Sequence, residues 1–221
     1  SLRVEGEDLK GCYTGIDFLS RLAGGEKMPI GETAAIIGGG NTAIDCTRNL
    51  IRLGAKKVYI VYRRTRGEMP ANEVEIDAAE HEGVEFLFLA APVKIIGNED
   101  GHCTHLEYLK MELGEPDASG RRRPVPIEGS ETLLETDMVI TAIGQSPDVS
   151  FTERTQKRLA DLKTTRWNTI EVNPDTLQTN IPYLFAAGDA ATGGVSPAER
   201  GVVRSIRGCA ARRPSAAWAW S

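Results

Sequence analysis

The sequence predicts an α/β protein with a parallel sheet, followed along the chain by an antiparallel β meander. Residues 34–37 form a short apolar run that meets a glycine turn at 38–40 and then a helical pattern. Residues 58–62 are almost continuously apolar, as are strands buried inside a parallel sheet. After residue 89 the apolar residues fall in short runs separated by polar turns, which is typical of antiparallel strands.

The glycine turn has the spacing of a dinucleotide-binding fingerprint. The pattern G-x-G-x-x-A falls on Gly38, Gly40 and Ala43. The first glycine permits a tight turn, the second lets a pyrophosphate approach the backbone, and the small third residue lets helix and strand pack closely. We therefore predict a Rossmann-like domain, with a glycine turn in an unrelated α/β domain as the alternative. The N-terminus of the following helix would then offer free N–H groups and the positive end of its dipole to the phosphates.

The other elements follow from apolar spacing and from the positions of glycine and proline. Gly54 ends the helix after the glycine turn, and Pro70 begins another. The charged stretch 114–123 predicts an exposed loop. The predicted helices are 14–22, 42–53 and 70–82. The predicted strands, besides 34–37 and 58–62, are 84–89, 93–96, 102–113, 132–134, 137–142 and 183–187.

The residues after the second strand favour NADP over NAD. An NAD site usually has an acidic residue there that binds the ribose 2′-hydroxyl. This chain has Arg63, Arg64 and Arg66 instead. Guanidinium groups are permanently charged and match the geometry of a phosphate, so we predict that these arginines bind a 2′-phosphate, with Arg63 and Arg64 ahead of Arg66. The alternative is a solvated strand end.

A glycine-proline corner follows the predicted strand 137–142. Ligands of parallel sheets bind beyond the carboxyl ends of the strands. Gly144 and Gln145 are therefore candidates for the nicotinamide side of the site, and a plain turn is the alternative.

Composition excludes several classes of protein. The 221 residues carry a formal net charge of -5, which argues against nucleic acid as the main partner. No apolar run has the length of a membrane helix, and we expect neither a membrane span nor a signal peptide. The four cysteines are scattered, which favours a reducing, cytoplasmic setting without a disulfide framework. We expect no metal site at Cys103 and the histidines on either side of it, His102 and His105, because no further potential ligands lie nearby in the sequence.

The domain organisation is predicted in three parts. Residues 1–32 are expected to be a lead-in segment, 33–147 the dinucleotide-binding domain, and 148–221 a separate C-terminal segment. The last part contains a predicted apolar strand, 183–187, that ends in Gly188 and Asp189. Beyond residue 190 the composition shifts toward arginine, alanine, glycine and serine.

Several motifs occur together in an order known from one family. They are residues 38–45 (GGGNTAID), 62–71 (YRRTRGEMPA), 142–145 (AIGQ) and 185–189 (FAAGD). In this order they resemble the NADPH-oxidising flavoprotein module of the glutamate synthase small subunit, to which a module of dihydropyrimidine dehydrogenase is related. The resemblance extends from about residue 2 to residue 189.

The resemblance implies an NADP domain inserted into a split FAD domain, with hydride transfer from NADPH to FAD. It implies that Gly38, Gly39, Gly40, Asn41 and Thr42 bind the pyrophosphate and that Arg63 and Arg64 bind the 2′-phosphate. It also implies that Ala142 to Gln145 lie along the nicotinamide and that Gly188 and Asp189 face the flavin. Residues 148–221 would then be a remnant of the FAD domain, whose N-terminal half we expect outside this sequence. The implied partner is that FAD domain or a larger electron-accepting subunit, of the glutamate synthase large-subunit or ferredoxin type; a homo-oligomer is left open.

Two classes of function remain. The first is an NADP(H)-binding module of a flavin-dependent oxidoreductase, in which the cofactors carry the redox chemistry and no side chain acts as acid or base. The second is a non-catalytic nucleotide-sensing or subunit-docking domain. Whether purified protein shows a flavin absorption band distinguishes them.

Overall fold

A computed structural model describes residues 2, 4–116, 122–144, 159 and 161–193 of the chain. The chain divides into two compact units, Ser1–Gln145 and Ser146–Ser221. The first unit contains a parallel and an antiparallel sheet with three helices, and it confirms the predicted α/β class. Among the described residues, no helix has both the length and the apolar character needed to cross a membrane.

In the first unit, the predicted strands and helices are present with small shifts of their ends. The strands are β1 (Cys12–Thr14), β2 (Thr33–Ile37), β3 (Lys57–Tyr62), β4 (Glu85–Phe88), β5 (Ala90–Gly97), β6 (Cys103–Pro116), β7 (Arg122–Pro126), β8 (Thr132–Glu135) and β9 (Met138–Thr141). The helices are α1 (Gly15–Ala23), α2 (Asn41–Arg52) and α3 (Glu73–His81), and a short 3₁₀ turn spans Arg66–Glu68.

The parallel sheet has five strands in the order β1-β9-β2-β3-β4. The last of these strands in sequence, β9, therefore lies between β1 and β2, with Ala34 opposite Met138 and Ile37 opposite Thr141. Residues 1–32 contribute the edge strand β1 and the helix α1 to this unit. The carboxyl ends of β1, β9, β2 and β3 all meet at one edge.

Both faces of the parallel sheet are buried, which explains its nearly continuous apolar strands. Successive side chains of a strand point to opposite faces. Ala34 and Ile36 pack with Phe18 of α1 and Leu50 of α2. Ala35 and Ile37 pack in a second cluster, which includes Leu106 of the antiparallel sheet. The unit is thus a three-layer arrangement of helices, parallel sheet and antiparallel sheet.

The antiparallel sheet is organised around the 14-residue strand β6. β5 pairs along one side of β6, whereas β8 and β7 pair with it on the other side. The expectation of an exposed loop over the whole of 114–123 is therefore wrong at both ends, where β6 continues to Pro116 and β7 begins at Arg122. The Arg122 guanidinium donates to the carbonyls of Leu113 (2.9 Å) and Gly114 (3.1 Å), which stabilises this pairing.

Helix ends in the first unit are fixed by side-chain caps and by an ion-pair network. The Thr14 hydroxyl accepts a hydrogen bond from the Asp17 amide at 3.2 Å, and so begins α1. Glu82, just after α3, accepts hydrogen bonds from Arg48 (2.8 Å) and Arg52 (2.9 Å) of α2. These hydrogen bonds lower the pKa of Glu82. They also join α2, the helix before β3, to the end of α3, the helix after it.

The described part of the second unit consists mainly of turns. The predicted turn at 173–175 is present, with the Asn173 side chain accepting from the Asp175 amide at 2.9 Å. The predicted strand 183–187 is absent, and only an isolated bridge joins Gln178 to Phe185. A strand needs a continuous ladder of backbone partners, and no such ladder forms among the described residues. Residues 194–221, which include most of the stretch with the shifted composition, lie outside the described part of the chain.

The end of β2 is held against the end of β9 by a contact that leaves no space for a side chain. Gly38 has a φ of +143°, and a Cβ at this position would lie 2.3 Å from the Ala142 carbonyl oxygen. The Gly38 amide donates to the Val61 carbonyl at 3.1 Å, and the Ala142 amide donates to Ile37 at 2.8 Å. The glycine loop is therefore fixed by both neighbouring strands.

We expect Leu106→Ala to lower the free energy of unfolding by about 2–5 kcal/mol, because it leaves a cavity between the two sheets. Leu106 is fully buried. Leu133→Ala on the neighbouring strand β8 is the matched control, since Leu133 is 57% exposed, and it should change stability by less than about 0.5 kcal/mol. Urea unfolding followed by circular dichroism measures both; equal effects would contradict the three-layer arrangement.

We expect Gly38→Ala to destabilise the chain by at least about 2 kcal/mol, because the new Cβ meets a backbone carbonyl. Gly54→Ala is the control, because Gly54 also has a positive φ, +102°, but a Cβ there contacts nothing within 4 Å. It should cost only about 1–2 kcal/mol of backbone strain. If thermal or urea unfolding gives the same loss for both variants, the close contact with Ala142 does not constrain the loop.

Candidate dinucleotide site

Each glycine of the loop has a different environment. Gly38 contacts the Ala142 backbone, as described above. A Cβ on Gly39 would lie 2.7 Å from the ring of Tyr62, so this glycine is required by packing inside the protein. A Cβ on Gly40 would come no closer than 4.0 Å to any neighbour, the Pro70 side chain. Gly40 is therefore the position of the loop at which the protein itself leaves the space free.

The N-terminus of α2 lacks an internal cap. Gly40 occupies the N-cap position and offers no side chain, and the first turn contains no acidic residue. The amides of the first turn of a helix have no partner within the helix. Together with the helix dipole, they favour an anion at this end. The free space at Gly40 and the uncapped amides lie at the same place, so the residues present fit a phosphate group.

The side chains next to this loop hold the surrounding backbone. The Asn41 side-chain oxygen accepts a hydrogen bond from the Asn72 amide at 2.9 Å, which fixes the segment before α3. The Gly39 carbonyl accepts from the Ala71 amide at 3.1 Å. Thr42 is half-buried, and its methyl group lies 2.9 Å from the position of a Cβ on Gly15. The Asn41 side chain is thus bonded within the protein and the Thr42 methyl group is close to Gly15, which leaves the backbone amides of both residues for the predicted site.

The three arginines after β3 have different surroundings. Arg63 is exposed and makes no hydrogen bond or ion pair with any residue that the structure describes. Arg64 is buried at 7% exposure, and its Nε donates to the Arg122 carbonyl of β7 at 2.9 Å. Arg66 forms ion pairs with Asp77 and with Glu80 of α3. The three arginines predicted to bind the 2′-phosphate therefore do not lie together in this structure. Of the three, only Arg63 is exposed and makes no hydrogen bond or ion pair with a described residue.

Residues 65–68, which include Arg66, form a compact turn directly after Arg64. The Glu68 carboxylate accepts hydrogen bonds from the Thr65 hydroxyl and from the Thr65 amide, the latter at 3.0 Å. The hydrogen bond from the Thr65 hydroxyl is the main cause that lowers the pKa of Glu68. The Tyr62 hydroxyl donates to the Glu68 carbonyl at 2.8 Å, while its ring packs on Gly39. Sequence reasoning missed this link between the glycine loop and the turn; the Thr65–Glu68 spacing of a capping box was its only signal.

The other predicted site residues lie in several places. Ala142 lies at the glycine loop, and Gly144 follows it, exposed and with a φ of +120°. Gln145 lies outside the described residues. In the second unit, Gly188 has a φ of +62° and Asp189 begins a single helical turn. No group of three or more potential metal ligands occurs in the part of the chain that the structure describes.

Comparison with known proteins places these features in a family. The family model described as pyridine nucleotide-disulphide oxidoreductase matches residues 1–208. The chain is 42% identical over 212 residues to the NADPH-Fe(3+) oxidoreductase subunit beta of Geobacter sulfurreducens, covering 93% of this chain and 30% of that protein. It is 40% identical over 180 residues to the glutamate synthase [NADPH] small chain of Azospirillum brasilense, covering 80% and 36%. The chain thus spans about a third of the length of these curated relatives.

Solved structures agree with the fold. FprA of Mycobacterium tuberculosis in complex with NADPH has a TM-score of 0.66 at 17% identity, over 87% of this chain and 56% of that one. The thioredoxin reductase of T. acidophilum has a TM-score of 0.63 at 21% identity, over 87% and 54%. The sequence matches, which include most of the chain, confirm the resemblance indicated by the ordered motifs. The chain belongs to the pyridine nucleotide-disulphide oxidoreductase family, among proteins similar to the glutamate synthase small subunit.

Proposed function

We propose that this chain is the NADP(H)-binding module of a flavin-dependent oxidoreductase similar to the glutamate synthase small subunit. The observation that carries the proposal is the uncapped N-terminus of α2, where the loop leaves free space at Gly40. A pyrophosphate would be held there by backbone amides of residues 39–42. When bound, the coenzyme supplies hydride chemistry, and this chain supplies binding and orientation.

The preference for NADP rests on Arg63. Its guanidinium follows β3 at the carboxyl edge of the parallel sheet, where the fold family places the adenosine ribose. No described side chain neutralises it. Arg66 is the second contributor in this proposal, because its partners Asp77 and Glu80 are exposed carboxylates. Arg64 is the last, because its guanidinium is buried and bonds to Arg122.

The flavin and the partner are the family part of the proposal. Relatives named as the small chain of glutamate synthase and as subunit beta of an NADPH-Fe(3+) oxidoreductase are, by name, components of larger assemblies. We propose a corresponding electron-accepting partner here, with FAD as the cofactor that receives hydride from NADPH. Gly188 and Asp189 are the residues of this chain proposed to face the flavin. Ala142, Gly144 and Gln145 are proposed to lie along the nicotinamide.

We expect Gly40→Ala to weaken NADPH binding at least tenfold, because the added methyl group occupies the space into which the pyrophosphate fits. Folding should be nearly unaffected, since the new Cβ meets only the Pro70 side chain, at 4.0 Å. Isothermal titration calorimetry measures the affinity, and circular dichroism checks the fold.

Gly67→Ala is the matched control, because a Cβ there comes no closer than 3.9 Å to its nearest neighbour, the Thr65 hydroxyl. It should bind NADPH as the parent does. If the Gly40→Ala variant binds NADPH as tightly as the parent, the pyrophosphate does not bind at the N-terminus of α2. That result would contradict the proposed function.

We expect Arg63→Ala to weaken NADPH binding about tenfold and to leave NADH binding unchanged, because only NADPH carries the 2′-phosphate. Lys27→Ala, which removes one positive charge from the connection between α1 and β2, controls for net charge. Fluorescence titration with each coenzyme measures the effect. Equal losses for both coenzymes would mean that Arg63 does not discriminate between them.

A further inference from the structure

Cys12 and Cys103 are far apart in sequence, but the segments that carry them lie side by side in the first unit. Residues 10–12 run beside the start of β6, where the Cys103 amide donates to the Lys10 carbonyl at 2.9 Å. A Cβ on Gly11 would lie only 3.6 Å from Cβ of Cys103. Cys12 and Cys103 belong to the same apolar cluster, so both side chains lie in the layer between the two sheets.

The two thiols interact directly. Cys12 and Cys103 are close enough for each thiol to change the pKa of the other. Each sulfur also lies near a backbone carbonyl, that of Gly6 at 3.6 Å for Cys12 and that of Thr136 at 3.4 Å for Cys103. Cys103 is 2% exposed, whereas Cys12 is half-buried. The pair therefore combines one accessible sulfur with one enclosed sulfur.

A pocket gives small molecules access to Cys12. It has a volume of about 300 Å³ and is lined by Cys12 together with the last residues of two strands, Thr14 of β1 and Thr141 of β9. Glu7 and Asp17 also line it. Cys103 is not among its lining residues, so a reagent that enters the pocket meets Cys12 first.

The two thiols differ in their tendency to ionise. The neighbouring Cys103 thiol lowers the pKa of Cys12, and this effect outweighs the opposite effects of burial and of the carboxylates of Asp8 and Glu7. The same interaction raises the pKa of Cys103, and burial adds to this rise. Because the thiolate is the nucleophile, Cys12 is the sulfur that attacks an electrophile in the pocket.

We propose that Cys12 and Cys103 form an oxidisable dithiol, in which hydrogen peroxide reacts at Cys12 and Cys103 then closes an intramolecular disulfide. In the first step, the Cys12 thiolate forms an S–O bond as the O–O bond breaks, giving a sulfenic acid and a hydroxide that takes up a proton. In the second, the Cys103 sulfur attacks the Cys12 sulfur, and the S–O bond breaks. The oxygen leaves as water with the Cys103 proton. The two thiols lose two electrons together, and peroxide becomes two waters.

The proposal for these two cysteines does not rest on the coenzyme site proposed above. Each proposal can fail its own test without affecting the other. Cys46 is the internal comparison, because its thiol is fully buried against the Gly15 carbonyl and burial raises its pKa to about 12. It should react with neither peroxide nor alkylating reagents in the folded chain. Cys209 lies outside the described residues and is replaced by serine in every sample to keep the assignment clear.

The experiment treats the reduced 221-residue chain carrying Cys209→Ser with a few equivalents of hydrogen peroxide. Remaining thiols are then blocked with iodoacetamide, and peptides are mapped by mass spectrometry without reduction. We expect a linked peptide pair containing Cys12 and Cys103, with Cys46 unlinked. Recovery of both Cys12 and Cys103 as alkylated peptides after oxidation would overturn the proposal, as would a linkage through Cys46.

Variants assign the order of the steps. In Cys103→Ser, dimedone should trap a sulfenic acid at Cys12; in Cys12→Ser, neither the adduct nor the disulfide should form. Cys46→Ser should form the disulfide as the parent does. In the Cys209→Ser chain that keeps Cys12, Cys46 and Cys103, Cys12 should react with iodoacetamide at pH 7 at least tenfold faster than Cys46. Equal rates at the two cysteines, or a dimedone adduct at Cys103, would contradict the assigned roles.

Discussion

The candidate site depends on the contact between the Gly38 backbone and the Ala142 carbonyl. No side chain fits between Gly38 and the Ala142 carbonyl. The backbone of the glycine loop therefore lies directly against the backbone at the end of β9. The backbone of Gly38 is also held by Val61 of β3. The loop is thus fixed from both sides before any ligand arrives. Residues 142–144 reach the loop through strand pairing, although they follow it by more than half of the first unit in sequence.

Local patterns predicted most elements of the first unit, because a strand buried on two faces and a helix with one apolar face leave clear traces in sequence. They did not predict that the antiparallel sheet covers the second face of the parallel sheet. Apolar spacing shows that Ala35 and Ile37 are buried, but it does not show what they are buried against. Residues 183–187 illustrate the same limit, since Tyr183 and Phe185 are strongly apolar and yet remain 69% and 59% exposed without a strand ladder.

The arginines show why a cluster in sequence is not a cluster in space. Arg63 and Arg64 are adjacent and both follow β3, yet Arg63 is exposed and Arg64 is buried. Arg64 finds a carbonyl acceptor on β7, a strand that the sequence did not predict. Arg66 finds Asp77 and Glu80, which share a face of α3 because they are three residues apart. Each of these outcomes depends on an element distant in sequence, which residue type and spacing at positions 63–66 do not specify.

The energetic cost of recruiting each arginine follows from its present partners. Arg63 has none among the described residues, so a phosphate that approached it would displace only water. Arg66 would exchange exposed carboxylates for the phosphate, and exposed ion pairs contribute only about 0–1 kcal/mol each. Arg64 would have to give up its hydrogen bond to the Arg122 carbonyl, and a hydrogen bond to a charged group contributes about 1.5–3 kcal/mol. The proposed order of contribution, Arg63 before Arg66 before Arg64, is therefore the order in which the fold leaves these guanidinium groups available.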